Sequence, residues 1–132
     1  MNFQNIILNG YPFAKKVPCG FDCFLLESKR YVVFWETLIT KDSIHNILNV
    51  LHTETKNRCF SKWKTIVVVG KTDSHFEKKE LVYFDNDSTF VVFVLVDSTS
   101  NLVFMNDSWI FALGCNYKQH VRKISGIIKQ HL

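Results

Sequence analysis

Long apolar runs are missing from this 132-residue chain. The longest covers residues 90–96, seven residues closed by Asp97, far short of the roughly 20 that a helix needs to cross a bilayer. No transmembrane helix is expected. Glycine and proline are scarce, at five and two residues, and both prolines precede position 20. No repeat, low-complexity stretch or linker-like run divides the chain, so one globular domain over 1–132 is expected. The first ten residues carry no basic stretch ahead of an apolar block, which argues against a secretory leader and for a cytoplasmic location. Cys19, Cys23, Cys59 and Cys115 show no two-residue metal-knuckle spacing and read as free thiols. No glycine-rich phosphate loop follows any strand-like stretch, which argues against a dinucleotide-binding doubly wound fold.

What the chain does have is 47% hydrophobic, 14% aromatic and 21% charged residues, the profile of a folded domain. A chain of this size removes roughly two thirds of its unfolded surface from water. A core therefore needs no metal or cofactor, and none is expected. The pattern predicts a short strand near 3–8 and a hairpin over 21–37 turning at Glu27, Ser28, Lys29 and Arg30. Capping side chains at Thr40 to Ser43 precede Ile44, Ile47, Leu48 and Leu51, which predicts a helix over about 42–56. Strands are expected at 65–69 and 81–84, then at 90–96, where the lack of alternation indicates a central strand covered on both faces. Short strands at 102–105 and 109–113 follow. Val121, Ile124, Ile128 and Leu132 form the apolar face of a final helix over about 117–131. The expected class is α+β, a mostly antiparallel sheet of five to seven strands with the two main helices packed on it.

Charge is informative once located. Residues 1–107 hold twelve Lys/Arg and twelve Asp/Glu, whereas 108–132 hold four basic residues and no acid, so the net charge of +4 sits at the C-terminal end. Helical spacing puts Lys118, Arg122, Ser125 and Lys129 on one stripe, with Lys123 nearby. That stripe is either a solvated face or a footprint for phosphate or an acidic partner. A second basic cluster, with Lys56, Arg58, Lys62 and Lys64 around Phe60 and Trp63, combines cations and rings as single-strand nucleic-acid binders do. The same rings serve equally well to anchor a loop to the core, and Trp35, Trp63 and Trp109 are each expected to be at least half buried.

Catalytic patterns are faint. Asp22 with Glu27 and Lys29 echoes the carboxylates and lysine of Mg²⁺-dependent nucleases, but Glu27 and Lys29 fall on the predicted turn, and Glu36 is the alternative second carboxylate. His45 and His52 lie about two helical turns apart, roughly 10 Å, too far to share a zinc ion. No local sequence singles out Cys59 or Cys115 with His75 or His120 as a nucleophile and base, so no catalytic or metal-binding residue is assigned. The expectation is a small non-enzymatic binding protein of the accessory, inhibitor or immunity kind, acting on an acidic or mixed-charge protein partner and not on a membrane. The alternative is a nucleic-acid module using Arg58, Lys62, Trp63, Lys118, Arg122 and Lys129, with a nuclease ranked below it. The apolar strand over 31–35 is a candidate edge for homodimerisation.

Overall fold

The computed structural model describes residues 2–56, 60, 63–85, 89–108 and 117–132. In chain order they form α1 (Phe3–Asn9), β1 (Lys15–Lys16), β2 (Asp22–Glu27), β3 (Arg30–Phe34), α2 (Ile44–Glu54), β4 (Lys64–Thr72), β5 (Val82–Asp85), β6 (Thr89–Asp97), β7 (Val103–Phe104) and α3 (Tyr117–Gln130). Short 3-10 turns, Lys41–Ser43 and Lys78–Glu80, precede α2 and β5. The class is α+β, with a seven-stranded sheet ordered β1-β2-β3-β4-β6-β5 and with β7 also paired to β6.

The sheet is mixed. β1, β2 and β3 form an antiparallel meander, β5 and β7 are antiparallel to β6, but β3–β4 and β4–β6 are parallel. The parallel centre arises because α2 carries the chain back from the end of β3 to the start of β4, as a crossover between parallel strands must. It corrects the edge assignment: residues 31–34 belong to β3, held between β2 and β4.

Side-chain alternation splits the core into two layers. Tyr31 and Val33, Ile66 and Val68, and Val91, Phe93 and Leu95 meet Ile44, Ile47 and Leu51 of α2. Val32 and Phe34, Val67 and Val69, and Val92, Val94 and Val96 meet Ile7 of α1 with Val121, Ile124 and Ile128 of α3. Both faces of the central strands are therefore covered, which is why 90–96 shows no polar alternation.

The N-terminal segment is helical rather than extended. The Asn2 side chain accepts the Asn5 N–H at 3.3 Å, capping α1, and Ile7 is buried against the same layer as α3. An N-cap plus one tertiary anchor outweighs a weak strand preference over seven residues. The helix over 42–56 is found as α2 with its 3-10 entry turn, and that over 117–131 as α3. The strand expected at 109–113 lies outside the described residues. No described helix is long and apolar enough to cross a membrane.

Candidate functional site

Among the described residues, two concave regions stand out beside the α3 stripe. The first concavity, a groove of about 410 Å³, runs between α2 and the β5 end of the sheet, lined by Leu48, Leu51, His52, Thr55, Tyr83 and Phe84 among others. It exists because β5 has only four residues and pairs with β6 through Val82↔Val92 to Asp85↔Thr89. Among the described residues no strand pairs with the outer edge of β5. Phe84 is 55% exposed although its ring packs on Phe90 at 4.9 Å. Tyr83 packs edge-on against Phe93 at 5.8 Å, and burial with the nearby Glu80 charge raises its phenol above the ordinary range.

The second concavity, about 550 Å³, lies where β2, β3 and β4 end beside α1, and its lining includes Gln4, Asp22, Glu36 and Lys71. Register explains the meeting: Phe34 stands opposite Asp22 on one side and Val69 on the other. Residues two positions beyond Phe34 and Val69, Glu36 and Lys71, thus emerge at the end where Asp22 begins β2. Asp22 is 3.9 Å from the Lys16 ammonium, and the Lys71 ammonium is 5.8 Å from the Phe3 ring centroid. A smaller adjoining cavity of about 340 Å³ shares Asp22, Trp35 and Glu36 and adds Gly20, Phe21 and Thr37.

Glu27 and Lys29 do not join this cleft. Five residue steps, about 16 Å, separate Glu27 from Asp22 along β2. Lys29 sits in the opposite hairpin turn at φ 63°, and Glu27 binds Arg30 at 2.7 Å. The nuclease-like spacing is therefore not an assembled site, whereas Glu36 does reach Asp22's end of the sheet. Among the described residues no group of three or more His, Cys, Asp or Glu side chains is placed to hold a metal ion.

The basic stripe on α3 is only partly a surface. Ser125 is 2% exposed and its hydroxyl donates to the Arg122 carbonyl oxygen at 3.3 Å, so it belongs to the sheet-facing side. Arg122 Nε is 2.7 Å from Asp107 Oδ2, and that guanidinium holds the Asp107 carboxyl below its usual range. The Lys123 ammonium lies 3.9 Å from the Tyr11 ring centroid. Lys118 is partly exposed and Lys129 exposed, and among the described residues neither forms an ion pair. Spacing alone predicts a stripe and an apolar face; the covered side is wider, taking in Val121, Ile124, Ser125 and Ile128.

In the other basic cluster, Arg58, Cys59 and Lys62 lie outside the described residues, as do Trp109 and Cys115. Phe60 is buried and packs on Tyr31 at 5.0 Å. Trp63 is 60% exposed, contrary to the burial expected of it, because β4 begins at the next residue and Lys64, not Trp63, is buried. Sequence reasoning missed Lys71 and the β5 edge altogether: Lys71 is one lysine in a polar stretch, and an edge is defined only by strand order. No family model matches the chain, and neither the curated proteins nor the solved structures contain a significant match to it.

Proposed function

We propose that this protein is a small non-enzymatic binding protein of the accessory, inhibitor or immunity type, which docks a mixed-charge protein partner along β5 and the groove beside it. The carrying observation is the outer edge of β5, unpaired among the described residues, with Phe84 55% exposed on it and Leu48, His52 and Tyr83 lining the adjacent groove. An extended segment of a partner laid against such an edge gains main-chain hydrogen bonds, and side-chain pockets beside it give selectivity. An exposed ring is the kind of anchor that dominates interface energetics. Lys41–Glu80 at 3.4 Å and Lys79–Glu77 at 3.7 Å pair in the segments that lead into α2 and β5, charges of both signs that suit a partner of mixed charge. The cytoplasm is the compartment this reading favours, since free thiols such as Cys19 and Cys23 persist there.

The test is capture from the native host's extract by immobilised protein, comparing the wild type with Phe84→Arg. One stoichiometric companion bound by the wild type and lost from a folded Phe84→Arg variant supports the site. Equal capture by both would remove β5 from the interface. Size-exclusion chromatography of the same pair separates a second copy of the chain from a foreign partner.

A second reading rests on the cleft at the other end of the sheet. Asp22, Glu36 and Lys71 all line that cleft, and two carboxylates with a lysine are the residue types that metal-assisted phosphodiester cleavage uses. Under it, oligonucleotides are cut in Mg²⁺ and Glu36→Ala abolishes the cutting; intact substrate after prolonged incubation with the wild type rejects it.

A further inference from the structure

Cys19 and Cys23 are both free thiols, and the chain path brings them together. β1 and β2 pair through Lys15↔Leu25 and Lys16↔Phe24, and the Val17 N–H extends this ladder by donating to the Cys23 carbonyl oxygen at 2.9 Å. The intervening loop therefore folds back on the start of β2. Cys19 Sγ donates to the Phe21 carbonyl oxygen at 3.2 Å and packs against the core layer that contains Cys23. Cys19 thus stands two residues beyond Val17, the residue hydrogen-bonded to Cys23; burial, then the Cys19 group, pushes the Cys23 thiol well above its ordinary range. Their access to solvent differs. Cys19 is partly exposed, whereas Cys23 is fully enclosed at 0% exposure.

We propose that Cys19 and Cys23 form a thiol–disulfide site whose oxidant is a low-molecular-weight disulfide of the oxidised-glutathione class. The Cys19 thiolate attacks one sulfur of that disulfide, forming a mixed disulfide and expelling one thiolate. The Cys23 sulfur then attacks the Cys19 sulfur; the Cys19–Cys23 bond forms, the bond to the second small thiol breaks, and the Cys23 proton leaves with it. Two protein thiols are oxidised and one small disulfide is reduced to two thiols. The order follows from access, since a peptide-sized disulfide meets Cys19 but not the enclosed Cys23. Once Cys19 is capped, its own charge no longer opposes ionisation of Cys23. This site does not depend on the partner assigned to β5.

The bond has a place to be felt. Gly20, Phe21 and Asp22, between the two cysteines, line the smaller cavity with Trp35, Glu36 and Thr37, and the Phe21 ring lies 6.4 Å from that of Trp35. Oxidation ties this wall of the cavity to β2.

Residues 17–29 contain both cysteines between Lys16 and Lys29 with no other Lys or Arg, so one tryptic peptide reports the outcome. The full-length protein is equilibrated with oxidised and reduced glutathione, quenched with acid, alkylated after denaturation and digested without reductant. The expected product is the 17–29 peptide lighter by two hydrogens and carrying no alkyl group. Cys23→Ala is expected to stop at a glutathione adduct on Cys19, and Cys19→Ala to leave Cys23 alkylated. A wild-type peptide that stays doubly alkylated, or that halts at the adduct, overturns the proposal. The Cys59→Ser, Cys115→Ser double variant is run in parallel; if its 17–29 peptide fails to lose the two hydrogens, the pair is not self-sufficient and the proposal falls.

Discussion

His120 Nε2 lies 3.4 Å from the Tyr31 carbonyl oxygen, while its Nδ1 has no hydrogen-bond partner among the described residues. The ring is 2% exposed, between α3 and β3, edge-on to Tyr11 at 6.3 Å. Burial first, helped by the Arg30 and Lys123 charges and opposed by the Tyr31 carbonyl, lowers its pKa to about 4. Because the folded value lies below the ordinary 6.5, the unfolded chain binds more protons in between, and stability falls as pH drops from about 6.5 towards about 4. The full effect of this one group is about 3 kcal/mol. Denaturant unfolding from pH 7 to pH 4 should show this loss, and His120→Phe, which keeps a ring against Tyr11, should flatten its part of the curve. An unchanged pH profile in His120→Phe would show that other groups carry the dependence.

Gly70 is required by Ile39. A Cβ at position 70 would meet Ile39 Cδ1 at 2.5 Å and Cγ1 at 3.3 Å, and Ile39 is fully buried, with its N–H donating to the Lys71 carbonyl oxygen at 2.8 Å. Gly70→Ala is expected to cost about 1–3 kcal/mol through overpacking. Ile39→Val removes Cδ1, so the double variant should recover part of that cost. Additive losses in a double-mutant cycle would dismiss the contact as the cause.

Local signals survived: the caps around Thr40 and Ser43, the hairpin turn at Lys29, the unalternating run of β6. The misreadings share a cause in tertiary context. Residues 3–8 pack as a helix because Ile7 finds the α3 layer, and Ser125 turns inward because α3 presents a broader face to the sheet than two apolar rows suggest. Parallel pairing of β3 with β4 is decided by where α2 packs. The cleft joins Asp22, Glu36 and Lys71 only through strand register, and no spacing along the chain encodes that.

The entry to α2 gives a local test. Thr40 Oγ1 accepts the Ser43 N–H at 3.3 Å and Ser43 Oγ accepts the Thr40 N–H at 2.9 Å. The second bond satisfies a Thr40 amide that the turn does not pair internally, and the first adds to the bond from the Ser43 N–H to the Thr40 carbonyl oxygen at 3.1 Å. Thr40→Ala should therefore cost about 1 kcal/mol, lowering Tm by about 4 °C. Calorimetry finding no change in Tm would mean water replaces the cap without loss.

Arg122 separates a phosphate-binding stripe from a structural ion pair. Its guanidinium is already engaged by Asp107 at 2.7 Å, fastening the segment after β7 to α3. A cation held this way releases no additional counterion when a nucleic acid approaches. Arg122→Ala should thus leave both the affinity for oligonucleotides and the slope of log K against log salt unchanged. Among the described residues Lys118 has no such ion pair, and any phosphate contact it makes is worth about one unit of that slope. Asp107→Ala releases Arg122 and should steepen the slope by about the same amount wherever α3 touches the backbone. Titrations at 50 and 200 mM salt measure both variants against the wild type. A slope that becomes shallower by about one unit in Arg122→Ala would show that the pair opens to bind phosphate, and would move the α3 face from scaffold to interface.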